Sequence, residues 1–283
     1  MGRTSAKFSV EPLSGALGAQ VSGIDLAAAL DDAQFAQVQE AFLAHQVLFF
    51  RDQNLTPDAY LAFARRFGAL AEYPFAKGMD SHPKITEIIK EPHQTSNFGG
   101  MWHTDTTYLP EPPKATLLYA VETPAVGGDT LFANLYMAFG ALSGGMAEVL
   151  TGLTGVNTSA LHSTGLRSAH LKSGSMQAKT SADEALMAEH PAIRTHPETG
   201  RRALYVNAAH TARFSTMTRE ESLPILSFLF DHAVQPEFTC RFRWQPGSLA
   251  IWDNRCTLHC AINDYDGHRR VMQRITIEGD RPV

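Results

Sequence analysis

The stretch "NFGGMWHTDTTYLPEPP" places two potential metal ligands, His103 and Asp105, two positions apart. In an extended segment, residues i and i+2 lie on one face, so this imidazole and this carboxylate can reach the same ion. A third ligand must come from elsewhere. His259 in "AIWDNRCTLHCAINDY" follows an apolar strand and is the best candidate. Two histidines and one carboxylate occupy one face of an octahedral iron site and leave three positions for cosubstrate and oxygen.

Two other interpretations of these residues stay open at this point. His103 and Asp105 can be a hydrogen-bonded pair on a strand, without a metal. Cys256 and Cys260 flank His259 and permit a zinc site with thiolate ligands. Both cysteines can equally be small hydrophobic residues, and the chain has no second cysteine pair to complete such a site.

Helices in the first half of the chain are indicated by strong capping signals. "DDAQFAQVQEAFLAH" predicts a helix with Asp31 or Asp32 as N-cap. "LTPDAYLAFARRFG" predicts another, with Thr56 as N-cap and Pro57 at its first position. These helices must pack against the strands that carry the candidate ligands.

A later helix has a contradictory start signal. In "TMTREESLPILSFLFDHA", Thr218 and Glu221 match a capping box. Pro224 would then lie inside the helix, where it removes a backbone hydrogen bond. The sequence therefore predicts a start at Ser222.

Short strands run through the rest of the chain, among them "VLFF", "PKATLLYAVE", "FTCRFRWQPGSLAIWDN" and "RRVMQRITIEG". Together with the helices they predict an α+β fold, a jelly-roll core with flanking helices. One domain over residues 1–283 is expected. The segment 156–191 has weak periodicity and is predicted to be an insertion or lid.

Composition excludes several classes of protein. The 283 residues carry a formal net charge of −5, which argues against a nucleic-acid binder. We find no signal-peptide pattern and no apolar run of the roughly 20 residues that a membrane span needs. Three cysteines form no disulfide framework. We expect a cytoplasmic protein without a membrane or nucleic-acid partner.

Six motifs occur in an order that resembles the TauD/TfdA family of Fe(II)- and 2-oxoglutarate-dependent dioxygenases, from about Val10 to about Asp280. They are "WHTD", "GGDT", "RTHPETG", "YVN", "FRWQPGSLAIWDNRCTLH" and "RRVMQRITI". The resemblance implies a double-stranded β-helix (jelly-roll) core and the use of Fe(II), 2-oxoglutarate and O2. It implies that the iron ligands are His103, Asp105 and His259, and that the distal carboxylate of 2-oxoglutarate is held by Thr130 and Arg270.

Side-chain chemistry agrees with these roles. Arginine presents a planar fork that grips a carboxylate with two hydrogen bonds. In "RRVMQRITI", strand alternation places Arg270, Met272 and Arg274 on one face, with Val271 and Ile275 on the other. Two arginines on one face need two anions, so the second predicts an anionic substrate.

The implied reaction converts 2-oxoglutarate to succinate and CO2 and hydroxylates an unactivated C–H bond. The carboxylate of Asp105 favours hydroxylation over halogenation, since a small residue there would leave room for a halide. A hydroxylated carbon that bears sulfur, nitrogen or oxygen can then lose that heteroatom. The enzyme is thus expected to be an oxidoreductase.

By the same resemblance, Arg274, Tyr73 and Thr106 match the residues around the anionic head group. The substrate is therefore predicted to be a small sulfonate, carboxylate or sulfate ester. Three departures from the taurine enzymes surround it: Leu70 and Gly99 replace a histidine and an asparagine, and His210 replaces a pocket phenylalanine. These changes predict a bulkier and less zwitterionic ligand than taurine.

Alternative functions use the same ligands. One is a cupin-like isomerase or hydrolase that holds another metal; another is a catalytically inactive ligand-binding protein of this fold. Thr130 and the two arginines argue against the first, because such chemistry needs no dicarboxylate. The intact set of three ligands and two arginines argues against the second. By analogy with relatives, a homodimer or homotetramer is expected.

Overall fold

A computed structural model describes residues 8–161, 175–179 and 185–283 of the protein. The described chain is mostly sheet with few helices. Its largest sheet has eight strands. In spatial order these are β1 (Ser9–Pro12), β2 (Ala19–Ser22), β3 (Val47–Phe50), β14 (Leu249–Asp253), β6 (Ala115–Glu122), β16 (Arg270–Ile277) and β4 (Leu70–Ala71), with β5 (Thr86–Lys90) paired to β16. The β2–β3 pair is parallel and the other pairs in this sheet are antiparallel.

Three smaller sheets complete the described strands. One orders β13 (Thr239–Phe242), β7 (Thr130–Asn134) and β15 (Thr257–Ala261); another orders β12 (Thr211–Phe214), β8 (Thr154–Thr158) and β9 (Met187–Pro191); the third pairs β10 (Ile193–Thr195) with β11 (Arg202–Leu204). The predicted insertion thus begins and ends in the antiparallel pair β8–β9. Its residues 162–174 and 180–184 lie outside the described residues.

The helices are α1 (Asp32–His45), α2 (Pro57–Arg65), α3 (Leu135–Gly140), α4 (Gly144–Thr151) and α5 (Arg219–Ala233). The predicted N-caps of α1 and α2 are confirmed. Asp31 accepts a hydrogen bond from Gln34 N at 2.8 Å, and Thr56 accepts one from Ala59 N at 3.2 Å. Such side-chain acceptors satisfy backbone donors that a helix start leaves unpaired.

The predicted start of α5 at Ser222 is wrong. Thr218 and Glu221 form the complete capping box, and the helix begins at Arg219 with Pro224 inside it. The proline lies in the second turn, so the carbonyl that loses its partner belongs to the exposed Glu220. Water can satisfy that carbonyl, and the cap outweighs the lost bond.

Alternate residues along the strands of the large sheet pack into hydrophobic cores on opposite sides of that sheet. Phe50 and Ile275 pack on the side of α1 and α2. Phe49 and Met272 pack on the inner side, toward β7 and β13. The predicted face assignment for Met272 and Ile275 is confirmed, and Arg274, two residues beyond Met272, shares the inner face. The site therefore lies on the inner side of this sheet.

Within the described residues, no helix combines the length and the apolar composition needed to cross a membrane.

Candidate active site

The two candidate histidines pair with each other through their backbones. The N–H of His103 donates to the carbonyl of His259 at 3.0 Å, and the N–H of His259 donates to the carbonyl of His103 at 2.8 Å. Directly paired residues project their side chains to the same side. The ring centroids are accordingly 4.1 Å apart. A pairing between distant parts of the chain thus brings both imidazoles together.

Asp105 completes the group at a sharp turn. The next residue, Thr106, has a φ of 45°, in the left-handed region that non-glycine residues rarely adopt. Asp105 Oδ1 lies 3.8 Å from Nε2 of His103 and 3.8 Å from Nε2 of His259. Donor atoms of these types bind a metal at about 2.0–2.2 Å, so two of them on one ion lie at most about 4.4 Å apart. The three donor atoms therefore fit one metal ion.

Burial sets the protonation states of this group. Desolvation lowers the pKa of His103, and it lowers the pKa of His259 further. Burial alone would raise the pKa of Asp105. The guanidinium of Arg274, the two imidazoles and a hydrogen bond from Thr116 instead bring that pKa well below its usual range. Neutral imidazoles and an anionic carboxylate are the forms that bind a metal cation.

The neighbouring cysteines do not support a thiolate zinc site. Cys256 lies with His196 and Asp253 in a separate buried group. Asp253 is already engaged there, since Arg255 donates to its two oxygens at 2.8 and 2.6 Å. Burial raises the pKa of the Cys256 thiol and that of Cys260. Both thiols are therefore protonated at neutral pH, whereas zinc binds thiolates.

A cavity of about 530 Å³ opens beside the candidate metal ligands. Its wall includes two of those ligands and all four predicted substrate residues: His103, Asp105, Tyr73, Thr106, His210 and Arg274. Much of the remaining wall is apolar: Phe98, Met101, Ala209, Ala261 and Ile262. The structure thus brings these six predicted residues together around one space.

Arg274 is a buried cation in the cavity wall. Its side chain is 6% exposed, and its Nη2 lies 2.9 Å from Asp105 Oδ1. The N–H bonds do not point along that line, so Nε and Nη2 have no hydrogen-bond acceptor among the described residues. The guanidinium carbon lies 5.5 Å from the centroid of the Tyr73 ring. Arg274 therefore retains donors for a second anion, as its five N–H groups allow.

His210 is held in place by hydrogen bonds to two neighbouring side chains. Its Nδ1 lies 3.2 Å from Thr107 Oγ1, and its backbone N–H donates to Asn207 Oδ1 at 3.0 Å. Asn207 Nδ2 in turn donates to Thr107 Oγ1 at 3.2 Å. His210 therefore brings a polar ring to the cavity wall, where a phenylalanine would be apolar.

The predicted cosubstrate residues lie outside the large cavity. Arg270 lines a small adjoining pocket with Tyr265, and its Nε and Nη2 have no hydrogen-bond acceptor among the described residues. Burial lowers the pKa of Arg270. Gly128 in "GGDT" makes room for it, because a Cβ there would lie 3.4 Å from Arg270 Cδ. Thr130 Oγ1 accepts a hydrogen bond from Trp244 Nε1 at 2.9 Å, so its own proton remains to be donated.

Leu70 and Gly99 both stand where the taurine enzymes have a polar residue, but only Gly99 lies at the cavity. Gly99 lines it, and a Cβ there would lie 3.5 Å from His103 Cε1. Leu70 instead belongs to β4 and packs in the core on the helix side. The expectation that Leu70 is one of the departures around the substrate is therefore wrong, because the strand turns this side chain away from the cavity.

Several polar residues behind the site were not predicted from the sequence. Thr116 is a fully buried polar residue in the apolar strand β6, and its hydroxyl lies 2.6 Å from Asp105 Oδ2. Trp244 and Tyr265 contact the two cosubstrate residues. A lone threonine within "ATLLYAV" was the available signal, but its partner depends on strand pairing that the sequence does not display.

Two imidazoles and a carboxylate on a mostly β fold, next to buried arginines with unused donors, define a mononuclear non-haem iron oxygenase. A sequence profile described as taurine catabolism dioxygenase TauD, TfdA family matches residues 9–276. The chain belongs to this family, which confirms the resemblance of its motifs. It is a 2-oxoglutarate-dependent dioxygenase that uses Fe(II), 2-oxoglutarate and O2, and the isomerase, hydrolase and inactive alternatives are set aside.

Individual relatives agree over nearly the whole chain. An α-ketoglutarate-dependent sulfate ester dioxygenase of Pseudomonas putida is 33% identical, over 98% of this chain and 91% of its own. The crystal structure of a taurine dioxygenase from Burkholderia xenovorans is 37% identical, with a TM-score of 0.82 over 98% of this chain and 92% of its own. The structure of AAD-2 with Mn(II) and N-oxalylglycine is 28% identical, with a TM-score of 0.78 over 98% and 99%.

Proposed function

We propose that this dioxygenase hydroxylates a small organic anion with an apolar group, and that sulfate esters are preferred to sulfonates and carboxylates. The observation that carries the proposal is Arg274, a buried cation beside the candidate metal ligands in a largely apolar cavity of about 530 Å³. Hydroxylation of the carbon that bears the sulfate oxygen gives an unstable product. That product separates into an aldehyde and hydrogen sulfate.

We assign His103, Asp105 and His259 to the ferrous ion, because their donor atoms fit one metal and their protonation states suit it. A bound ferrous ion supplies the chemistry with O2, in which 2-oxoglutarate becomes succinate and CO2 and a C–H bond becomes C–OH. The protein's own residues orient both organic molecules and shield the site from water.

Arg270 and Thr130 are assigned to the distal carboxylate of 2-oxoglutarate. The unused Nε and Nη2 of Arg270 can donate two parallel hydrogen bonds. Trp244 occupies the Thr130 oxygen as a donor, so the hydroxyl proton of Thr130 turns toward the carboxylate. A buried guanidinium without a carboxylate partner would be costly, and the cosubstrate supplies that partner.

Arg270→Ala is expected to weaken 2-oxoglutarate binding about 100-fold, because breaking a buried charge pair costs about 3 kcal/mol or more. The measurement is an anaerobic titration of the Fe(II) protein with 2-oxoglutarate, followed by the visible absorption of the complex. Arg269→Ala is the matched control, since Arg269 is half-exposed and pairs with Glu91 and Glu122. Equal affinity in the wild type and Arg270→Ala would contradict the assignment.

The cavity supports an apolar substrate group next to the anion. Gly99 leaves open the space over the His103 ring that a side chain would fill. His210 and Thr106 add polar groups near Arg274, where the head group would lie. The relative from Pseudomonas putida is a sulfate ester dioxygenase, which supports an anionic head group of this class. Taurine has an ammonium group two carbons from its sulfonate, for which an apolar wall offers no partner.

The substrate proposal is tested by succinate formation with a short alkyl sulfate, an alkyl sulfonate, an aryloxyacetate and taurine. We expect the alkyl sulfate to give the highest kcat/KM and taurine the lowest. Arg274→Ala should lower kcat/KM for the alkyl sulfate about 100-fold, through loss of a buried charge pair. Taurine as the best substrate would contradict the apolar cavity's role, and full activity of Arg274→Ala would contradict the role of the arginine.

We also infer one domain with the double-stranded β-helix core of the family. The large sheet faces the β13–β7–β15 sheet around a shared aromatic core, in which Phe49 and Phe242 stack at 4.1 Å. Two facing antiparallel sheets are what a jelly roll requires.

The segment 156–191 is proposed to be a lid over the cavity. Of its residues, 175–179 lie against the chain just after Tyr73, which lines the cavity: Lys77 N donates to the carbonyl of Gln177 at 2.7 Å. Segments beside a substrate cavity commonly close over bound substrate.

A further inference from the structure

The two carboxylate oxygens of Asp105 have different surroundings. Oδ1 faces Nε2 of both His103 and His259 at 3.8 Å, and it is the oxygen near Arg274. Oδ2 lies 2.6 Å from Thr116 Oγ1. One oxygen is therefore presented to the metal ligands, and the other is turned toward the sheet behind them.

A chain of hydrogen bonds fixes the direction in which Thr116 donates. Trp252 Nε1, which can only donate, lies 3.0 Å from Asn254 Oδ1. The Asn254 amide is thereby oriented, and its Nδ2 donates to Thr116 Oγ1 at 2.9 Å. With that oxygen accepting from Asn254, the single hydroxyl proton of Thr116 is donated to Asp105 Oδ2. The indole thus fixes, through the Asn254 amide, that Thr116 donates its proton to the carboxylate oxygen beside it, Asp105 Oδ2.

The members of this chain have little freedom to move. Thr116 and Asn254 have no exposed surface, and Trp252 is 2% exposed. Trp252 and Thr116 are register partners on the adjacent strands β14 and β6. The backbone carbonyl of Asn254 also accepts a hydrogen bond from Thr104 Oγ1 at 2.7 Å. Thr104 lies between the two candidate ligands of "HTD", so Asn254 anchors their backbone as well.

We propose that Trp252, Asn254 and Thr116 form a one-way donor chain that positions Asp105, so that Asp105 binds the metal through Oδ1 alone. This inference rests on the proposed role of Asp105 as a metal ligand. Groups that hydrogen-bond a metal ligand orient it, and their loss typically costs about 10–100-fold in metal affinity. A carboxylate held through one oxygen occupies one coordination position and leaves the others for cosubstrate and O2.

The test measures binding of Mn(II) alone to the full-length protein, from the electron paramagnetic resonance signal of the free ion. We expect Thr116→Val to weaken Mn(II) binding about 10–100-fold. Thr116→Ser, which keeps the hydroxyl, should bind nearly as the wild type does. Thr276→Val is the matched control, because Thr276 is the register partner of Thr116 on β16 and is not part of the donor chain.

A further pair of variants guards against a misfolded Thr116→Val. Thr116→Ala and Thr116→Ser both lose the methyl group and differ only in the hydroxyl, so tighter Mn(II) binding by the serine variant supports the proposal. Equal Mn(II) affinity in that pair overturns it. Asp105→Ala distinguishes an error in the metal site from an error in the donor chain. If Asp105→Ala binds Mn(II) like the wild type, the metal site itself is misassigned. If Asp105→Ala binds Mn(II) more weakly but Thr116→Val and Thr116→Ala bind it like the wild type, the donor chain alone is wrong.

Discussion

His259→Ala is expected to abolish succinate formation, with a loss of at least about 1,000-fold, because metal-ion catalysis contributes several kcal/mol to the barrier. The variant keeps two of three donor groups, and the paired backbone of His103 and His259 does not depend on the side chain. The protein should therefore fold but bind Fe(II) or Mn(II) far more weakly. Metal binding and turnover are measured on the same preparation.

The matched control for this variant is His232→Ala. His232 is also buried, but its Nε2 lies 2.7 Å from the carbonyl of Ala138, in another core. Its loss should lower the free energy of unfolding without changing metal affinity. Wild-type metal affinity in His259→Ala would show that the ion binds elsewhere, and equal losses of metal affinity in both variants would show that any buried histidine matters.

Asp253→Ala is expected to lower the free energy of unfolding by about 3 kcal/mol, the low end of the cost of breaking a buried charge pair, because Arg255 still pairs with Glu198 through Nη1. Asp253 and Arg255 are 1% and 2% exposed. They form a bidentate pair, and His196 Nε2 lies 3.0 Å from Asp253 Oδ2. The measurement is denaturant unfolding at neutral pH. Asp32→Ala, in an exposed pair with Arg66, should cost no more than about 1 kcal/mol.

The loss of unfolding free energy in Asp253→Ala should depend on pH in a direction that follows from the pKa of Asp253. Burial would raise the pKa of Asp253, but hydrogen bonds from Arg255 and His196 hold it well below its usual range. Its stabilising contribution is thus complete above the unfolded value of about 3.9, and it is lost as the pH falls through the folded pKa. The gap between the wild type and Asp253→Ala should therefore narrow in acid. The pairing of Asp253 with Arg255 would be contradicted if the difference in unfolding free energy between the two proteins did not change with falling pH. A difference below about 1 kcal/mol at neutral pH would contradict it as well.

Local signals in the sequence predicted the elements well. The starts of α1 and α2 depend on Asp31 and Thr56, whose partners lie three residues away. The inner face of β16 followed from alternation alone. The start of α5 was misjudged because the general cost of a proline was given more weight than the complete cap at Thr218.

Non-local features were harder to foresee. The ligand residue types and their motif order predicted which side chains converge, but not that His103 and His259 pair directly. Leu70 was assigned to the pocket by counting back from Tyr73, whereas β4 turns it into the core. The position of Thr116 beside Trp252 depends on the register between β6 and β14. Only the folded sheet determines that register.

The four-residue spacing of Arg270 and Arg274 on β16 has a consequence for regioselectivity. Their Cα atoms are separated by about 13 Å along the strand, and β16 is paired with β5 and β6 on its two sides, so neither arginine shifts alone. On the proposed assignment, Arg270 anchors the cosubstrate and Arg274 anchors the substrate anion, so the strand fixes the distance between the two anchors. The oxidised carbon is then chosen by its distance from the head group, and added methylenes extend away from the metal without changing which carbon reacts.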